Sequence, residues 1–327
     1  MDNRDVLVPI GAEDDGAVLS HSLGKMPAML VSGTTGSGKS SFVKTLIAET
    51  MAGRMPDDVR FVISDSSRVE YGCLNTCPFL AVPIARDAKQ VEHLVKFVVS
   101  ESERRMALLS RRIDSDYPHL FLILDDFVAL EPSKDMLASL ERILLTARRT
   151  KMHIILVTSL PSSRLLTSEL LSNIDFRISF RVTSRSDSMR VLDRPGANKL
   201  AAQGEMIYRI EGTYIRCMAA HIDDAEIQRI SDEAGVQYEY GSGFFASSLV
   251  IDDLGLTTAG HSAIDESLVD EAARIVVETQ LGSTSGLQRR LKVGYAMAGR
   301  IMDELEKRGV VGPAIGSRPR EVLVRSL

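Results

Sequence analysis

The sequence predicts an α/β fold: a mostly parallel sheet with helices on both faces, followed by a small winged-helix domain at the C-terminus. Three observations carry this reading. Short apolar runs alternate with helix-period stretches from residue 28 to about residue 158. A Gly-rich phosphate-binding pattern falls between the first of those runs and a helix. The segment 282–327 carries nine basic against four acidic residues, a local +5 on a chain of net charge −5, and has the pattern of helices followed by a hairpin.

At 327 residues the chain has room for two domains at roughly 150 residues each. Its 44% hydrophobic and 25% charged content is that of a folded globular protein and excludes wholesale disorder. No apolar run approaches the roughly 18–20 residues that cross a bilayer. The acidic start MDNRDVLVPIGAEDD lacks the basic-then-apolar pattern of a signal peptide, so a cytoplasmic location is expected. The three cysteines, Cys73, Cys77 and Cys217, lack a second Cys or His pair to complete a zinc site and read as reduced thiols. With a negative whole-chain charge, nucleic-acid binding has to come from local basic surfaces such as the tail.

Taken in order, AMLVS at 28–32 reads as a buried strand, followed by a helix from Lys39 to Met51. RFVIS at 60–64, HLFLIL at 119–124 and HIILVT at 153–158 are further strands, separated by helical stretches at 87–112 and 132–150. RISFRV at 177–182, EMIYRI at 205–210 and TYIRCMAA at 213–220 extend the sheet. Residues 236–264 lose helical period and fill with Gly, Ser and Thr, the signature of a linker between a 1–235 domain and a 265–327 domain. The tail then reads as helices at about 265–280, 284–292 and 294–308, with two short strands around a basic turn within 309–325.

Gly33-Thr34-Thr35-Gly36-Ser37-Gly38-Lys39-Ser40, with Ser41 next, matches G-x4-G-K-[ST] in the required strand-to-helix context. The glycines let successive N–H groups turn inward onto α- and β-phosphates. Lys39 supplies charge to the β/γ-phosphates, and Ser40 is placed to ligate Mg2+. ATP and Mg2+ are therefore the expected cofactors. FLILDD supplies the partner motif, an apolar strand ending in Asp125 for the metal and Asp126 to polarise the attacking water. A solvated carboxylate capping the next turn is the alternative for Asp126. LVTSLPSS places Thr158 and Ser159 beside the loop, as γ-phosphate sensors or as ordinary turn residues before Pro161.

With these residues in hand, MPAMLVSGTTGSGKSS, ISDSSRVEY, SESERRMALLSRR, LFLILDDFVAL, ARRTKMHIILVTSLPSS, NIDFRISFRVTSRSDSMRVLD and QGEMIY resemble the motor domain of the FtsK/SpoIIIE double-stranded DNA translocases. SGLQRRLKVGYAMAGRIMDELEKRGVV and PREVLV resemble that family's γ domain, a winged helix that reads guide sequences on chromosomal DNA. The resemblance covers most of residues 7–230 and 265–325. It implies a RecA-like P-loop ATPase that forms a homo-hexameric ring on duplex DNA and serves chromosome segregation. Recruitment to the division septum and a site-specific recombinase partner follow by the same analogy. Arg148 is the first candidate for an arginine finger acting across a subunit interface, and Arg177 the second. Arg185 falls where the family has a basic pore-loop residue, with Arg181, Arg190 and Arg194 close by to grip phosphates. In the tail, Arg300 matches the family's base-reading arginine and Asp303 stands near one turn later. Gln288, Arg289 and Arg320 are expected to clamp phosphates. Solvated surface positions are the alternative for each of these side chains.

Several positions depart from the family. Asp126 stands where a Glu is usual, Ser159 and Leu160 replace a sensor Gln and an Arg, and Ser67 replaces a Lys. Ala296 and Met297 replace an Asn and an Arg on the recognition helix, so a different preferred DNA sequence is expected. The membrane segments and α domain that the family carries ahead of its motor have no match here, which leaves an excised or compact form, or a mobile-element relative, as alternatives. A plasmid-transfer or DNA-packaging motor and a nucleotide-switched DNA-binding protein are the competing functions. The γ-like tail argues against a secretion ATPase.

Overall fold

The computed structural model describes residues 7–237 and 266–324 apart from residues 14, 23–24, 76, 113–116, 163–165, 202, 292–294 and 313–318. Most of the segment read as a linker therefore lies outside the described residues. Nine strands form one sheet: β1 (Leu7–Ala12), β2 (Val18–Ser22), β3 (Ala28–Ser32), β4 (Val59–Ser64), β5 (His119–Leu124), β6 (Met152–Thr158), β7 (Phe176–Phe180), β8 (Glu205–Ile210) and β9 (Thr213–Ala219). Their spatial order is β2-β1-β9-β8-β7-β3-β6-β5-β4. The five strands from β7 to β4 are mutually parallel, and the remaining four join antiparallel. The expected mostly parallel core is present, with an antiparallel extension beside it.

The parallel strands are covered on both faces, which is why they read as continuous apolar runs rather than alternating ones. Helices α1 (Lys39–Met51), α2 (Ala88–Ser110), α3 (Lys134–Thr150), α4 (Ser168–Ser172), α5 (Arg185–Leu192) and α6 (Asp224–Gln237) follow in chain order. Alternate residues of each strand serve different cores. Met29, Val31, Phe121, Ile123, Ile155 and Val157 pack with Phe42, Leu46 and Ile47 of α1. Ala28, Leu30, Leu122, Ile154 and Leu156 pack with Val91 and Leu94 of α2 and Leu140 and Ile143 of α3.

The seven strands predicted between residues 28 and 220 are present to within two residues at each end, and β1, β2 and helices α4 to α6 are additions to that reading. Pro9 and Gly11 hide β1, because the pairing with β2 shifts register between them. A side chain at Gly11 would meet the Met218 carbonyl at 2.3 Å, so β9 can approach only a glycine there.

In the tail, α7 (Glu266–Thr279), α8 (Thr284–Leu291) and α9 (Tyr295–Lys307) match the three predicted helices. They enclose a core of Val269, Ala272, Val276, Leu287, Ile301, Met302 and Leu305. The two predicted strands within 309–325 reduce, among the described residues, to isolated antiparallel bridges, Val311 with Val322 and Gly282 with Arg320.

One buried ion pair ties α2 to the lower edge of the sheet. Arg105 is fully buried. Its Nε donates to Glu101 Oε1 at 2.6 Å, and Nη1 donates to the carbonyls of Pro118 at 2.9 Å and Thr150 at 2.7 Å. The guanidinium also lies 4.4 Å from the centre of the Tyr117 ring. Removing it leaves Glu101 as a buried carboxylate with one partner fewer. Arg105→Ala is therefore expected to lose about 3–5 kcal/mol of stability in denaturant unfolding. A loss within the ~0.5 kcal/mol typical of surface changes would contradict this assignment.

Candidate nucleotide site

The strand order places the site. From β3 the chain crosses to the far edge at β4 and returns through β5 and β6, then passes β3 to reach β7. The crevice beyond the carboxyl end of β3 is thus the switch point at which open α/β sheets bind ligands. The loop 33–38 fills it. Gly33, Gly36 and Gly38 have φ of 156°, 75° and 110°. A Cβ on Gly33 would come within 2.6 Å of Ser37 Oγ and 2.7 Å of Phe180 Cβ, so the first glycine is required by both conformation and space.

The loop is pinned from both neighbouring strands. Gly33 N donates to the Thr158 carbonyl at 3.3 Å and Thr34 N to the Arg181 carbonyl at 2.8 Å. Gly204 N donates to the Ser37 carbonyl at 3.1 Å. Side chains cap α2, α3, α4 and α5 through Asp87, Ser133, Thr167 and Ser184, whereas α1 begins at Gly38 with no side-chain cap. Its first N–H groups stay open to a ligand. Ser37 Oγ is buried with no hydrogen-bond partner among the described residues, as fits a cradle shaped for an anion. The loop thus fits the phosphates of a nucleotide.

Lys39 is buried, and its Nζ donates to the Thr34 carbonyl at 3.0 Å. Burial lowers its pKa, and Asp125, Asp126 and Glu70 oppose that shift. Asp125, at the end of β5, is held by a bond from its own N–H to Ser64 Oγ at 3.1 Å. Burial pushes the Asp125 carboxyl up to about 6. The Asp126 N–H, donating to Asp125 Oδ1 at 2.9 Å, opposes the rise, and Glu70, Asp126 and Asp65 add to it. A carboxylate in this state is suited to a divalent cation, which would be held with Ser40.

Asp126 has φ of 49° and accepts from Ser159 Oγ at 3.2 Å. Ser159, expected at the nucleotide, is bonded to the acid beside it. Thr158 Oγ1 donates to the Leu160 carbonyl at 3.0 Å, which is turn chemistry. Ser40 and Ser41 lie on the first turn of α1, with Thr35 and Gly36 exposed at the loop tip.

Asp65, Glu70 and Tyr71 also belong to the site, although the sequence reading gave them no role. Register explains their placement: Ser64 pairs with Leu124, so the residues that follow, Asp65 and Asp125, end adjacent strands side by side. Asp65 is buried and accepts from Ser67 Oγ at 2.6 Å and from the Arg68 and Tyr71 N–H groups at 2.9 and 3.2 Å. The turn so formed carries Glu70 toward Lys39 and Asp125. Tyr71 is fully buried, and burial first, then Asp125, Asp65 and Glu70, raise its phenol well above the ordinary value. Adjacent parallel strands ending in acids were the available signal.

The predicted arginines separate. Arg177 is corrected as a finger candidate. It is 5% exposed, and its guanidinium donates to the carbonyls of Ile174, Val191 and Leu171 and to Asp193 Oδ2 at 3.0 Å. Those bonds stitch β7 to α4 and α5, so it cannot reach a neighbour. Arg148 is exposed in the last turn of α3, at the end of the sheet opposite its own P-loop. Arg181 and Arg185 are exposed and Arg190 is half-buried, all after the carboxyl end of β7. The Arg181 carbonyl holds Thr34, which places this residue against the loop itself. Arg194 lies 4.7 Å over the Tyr214 ring.

In the tail, Gln288 is half-buried on α8. The side chains of Arg289, Arg300 and Asp303 lie outside the described residues, although their backbones belong to α8 and α9. Arg320, expected as a phosphate clamp, has protein partners of its own. Its Nη1 donates to Glu306 Oε2 at 2.5 Å and to the Met302 carbonyl at 3.4 Å, which braces the wing against α9.

A family model described as FtsK/SpoIIIE family matches residues 1–231, and one described as Ftsk gamma domain matches residues 263–325. The chain belongs to the FtsK/SpoIIIE family. It is 36% identical over 349 residues to the DNA translocase FtsK of Tropheryma whipplei (strain TW08/27), covering 99% of this chain and 46% of that protein. It is 34% identical over 344 residues to the DNA translocase SpoIIIE of Bacillus subtilis (strain 168), covering 98% and 43%. The chain thus spans less than half the length of these relatives. Among solved structures, the pCW3 conjugation coupling protein TcpA, a monomer with ATPγS, matches with a TM-score of 0.62 at 17% identity, covering 71% of each chain. EssC (ATPases 2 and 3) from Geobacillus thermodenitrificans matches with a TM-score of 0.63 at 17% identity, covering 72% of this chain and 50% of that one. These two likenesses establish the P-loop ATPase fold of the sheet region.

The raised Asp125 pKa carries a signed consequence. With a folded-state value of about 6 against an ordinary 3.8, the burial penalty is absent below 3.8 and complete above about 6. In ligand-free protein Asp125→Asn is expected to raise stability at pH 8 by on the order of 1–3 kcal/mol. The gain should fade as pH falls through that window in thermal or denaturant unfolding. A gain that stays constant from pH 8 to pH 4 would show that Asp125 is not desolvated.

Proposed function

We propose that this chain is an ATP-driven double-stranded DNA translocase in which residues 1–235 are the motor, 236–264 a linker and 265–327 a DNA-reading winged helix. The observation that carries the reading is the convergence of an uncapped P-loop helix, Lys39 and the strand-end acids Asp125 and Asp126 in a member of this family. ATP would lie along residues 33–41, its β/γ-phosphates on Lys39, with Mg2+ held by Ser40 and Asp125. The cation would neutralise charge on the phosphates.

The remaining work falls to the chain's own groups. Asp126, fixed by Ser159, is the carboxylate that orients water and takes its proton. Its αL backbone turns the shorter side chain at the point where the family uses Glu. Arg148, on the far side of the sheet from its own loop, can serve only the nucleotide of another copy, which fits action within a homo-hexameric ring. Arg181, Arg185 and Arg190 supply positive charge near the carboxyl end of β7, suited to DNA phosphates. Arg300, with Gln288 and Arg289, gives the tail its means of reading a guide or loading sequence. The family relationship favours chromosome segregation as the setting, with any recombinase partner or septal recruitment belonging to that setting.

Steady-state hydrolysis tests the reading. Long duplex DNA is expected to stimulate ATP turnover strongly and single strands to stimulate it little. Asp126→Asn should retain ATP binding and lose turnover by a factor on the order of 10²–10⁴, the range general-base removal commonly gives. Undiminished turnover in Asp126→Asn would transfer the water-orienting role to another carboxylate. Absence of any duplex effect would favour a nucleotide-switched DNA-binding protein.

A further inference from the structure

We propose that His221 is a nucleotide contact that completes the α-phosphate end of the site together with Ser41. This rests on the reading that the P-loop binds ATP. A P-loop assigns its Lys to the β/γ-phosphates and the N-terminus of its helix to the α/β-phosphates. Ser41 lies two residues past Lys39 on the first turn of α1, at the helix N-terminus that would receive the α/β-phosphates. Its Oγ lies 2.6 Å from His221 Nδ1, across 180 residues of sequence. The imidazole is exposed, and among the described residues its Nε2 has no protein partner.

A single Ser–His contact at a surface is ordinary, but this one belongs to a segment fixed to the loop and helix at successive points. Ala219 N donates to the Gly204 carbonyl at 2.8 Å, and Gly204 N donates to the Ser37 carbonyl at 3.1 Å. Ile222 N donates to Thr45 Oγ1 at 3.0 Å, and Lys44 Nζ bonds Asp224 Oδ1 at 2.5 Å. The run 219–224 is thereby laid along α1 from the loop outward, with its one imidazole held beside the helix start.

The chemistry follows from the ring. When the Ser41 hydroxyl donates to Nδ1, Nε2 carries the proton and is the only ring donor left. A phosphate oxygen is the acceptor such a donor matches, and the α-phosphate of a nucleoside di- or triphosphate would be the one within reach of the helix start.

The test is equilibrium binding of ADP to the full chain by calorimetry. His221→Ala is expected to weaken binding about five- to tenfold, with the thermal midpoint of the nucleotide-free protein unchanged. His221→Gln, whose amide offers a donor at similar reach, should recover part of the loss. Asp224→Ala removes only the outermost tether, leaves the Ala219, Gly204 and Ile222 bonds nearest the imidazole in place, and should weaken ADP binding less than His221→Ala does. Unchanged affinity in His221→Ala would overturn the proposal, as would an equal loss in Asp224→Ala, which would make the segment a structural brace only. Failure of the unaltered chain to bind ADP would instead remove the ATP reading on which the proposal rests.

Discussion

A parallel sheet in fixed register brings distant chain segments to one line, and every group at the site depends on that alignment. Ser32 pairs with Thr158 on one side of β3 and with Ser179 on the other, while Ser64 pairs with Leu124 across β4 and β5. The residues that follow these strand ends are the P-loop, Ser159, Arg181, Asp65 and Asp125. A slip of one residue in β5 would turn its apolar set to the wrong face and carry Asp125 away from Lys39. The core that fixes the register is mostly Val, Ile, Leu and Phe, with Ala and Met filling between them, so the precision of the polar site comes from apolar packing.

The site is electrostatically unbalanced in the form described. Asp125, Asp126 and Glu70 surround one buried ammonium, and burial opposes charge on both Lys39 and Asp125. Ser37 Oγ is buried without a hydrogen-bond partner among the described residues, and α1 starts with no side-chain cap. A nucleotide with its cation would satisfy both deficits together, since the phosphates match Lys39 and the donors while the metal matches the acids. The folded chain thus carries local cost at the place where ligand binding can remove it.

Much of this was legible in the sequence because local patterns carried it. The P-loop is written in consecutive residues, and the parallel strands announce themselves as unbroken apolar runs. The helices of the tail follow from 3.6-residue periodicity. What escaped has no local signal. β1 is masked by Pro9 and Gly11, whose meaning lies in a register shift and in the close approach of β9. Arg177 reads as a surface cation until the carbonyls of Ile174, Val191 and Leu171 close around it. Arg320 reads as a wing cation until Glu306 meets it. Glu70 and His221 reach the site through a turn and a strand pairing that no spacing rule encodes. Ser41 and His221 are separated by 180 positions and joined at 2.6 Å.

The proposed function requires that hydrolysis at this site move the chain along duplex DNA. The most direct measurement is displacement of a third strand, bound as a triplex at one end of a long duplex, after ATP is added to the full chain. ATP-dependent displacement that Lys39→Ala abolishes is expected. Duplex-stimulated hydrolysis with the third strand left in place would contradict it, because nucleotide turnover would then be coupled to binding and not to motion.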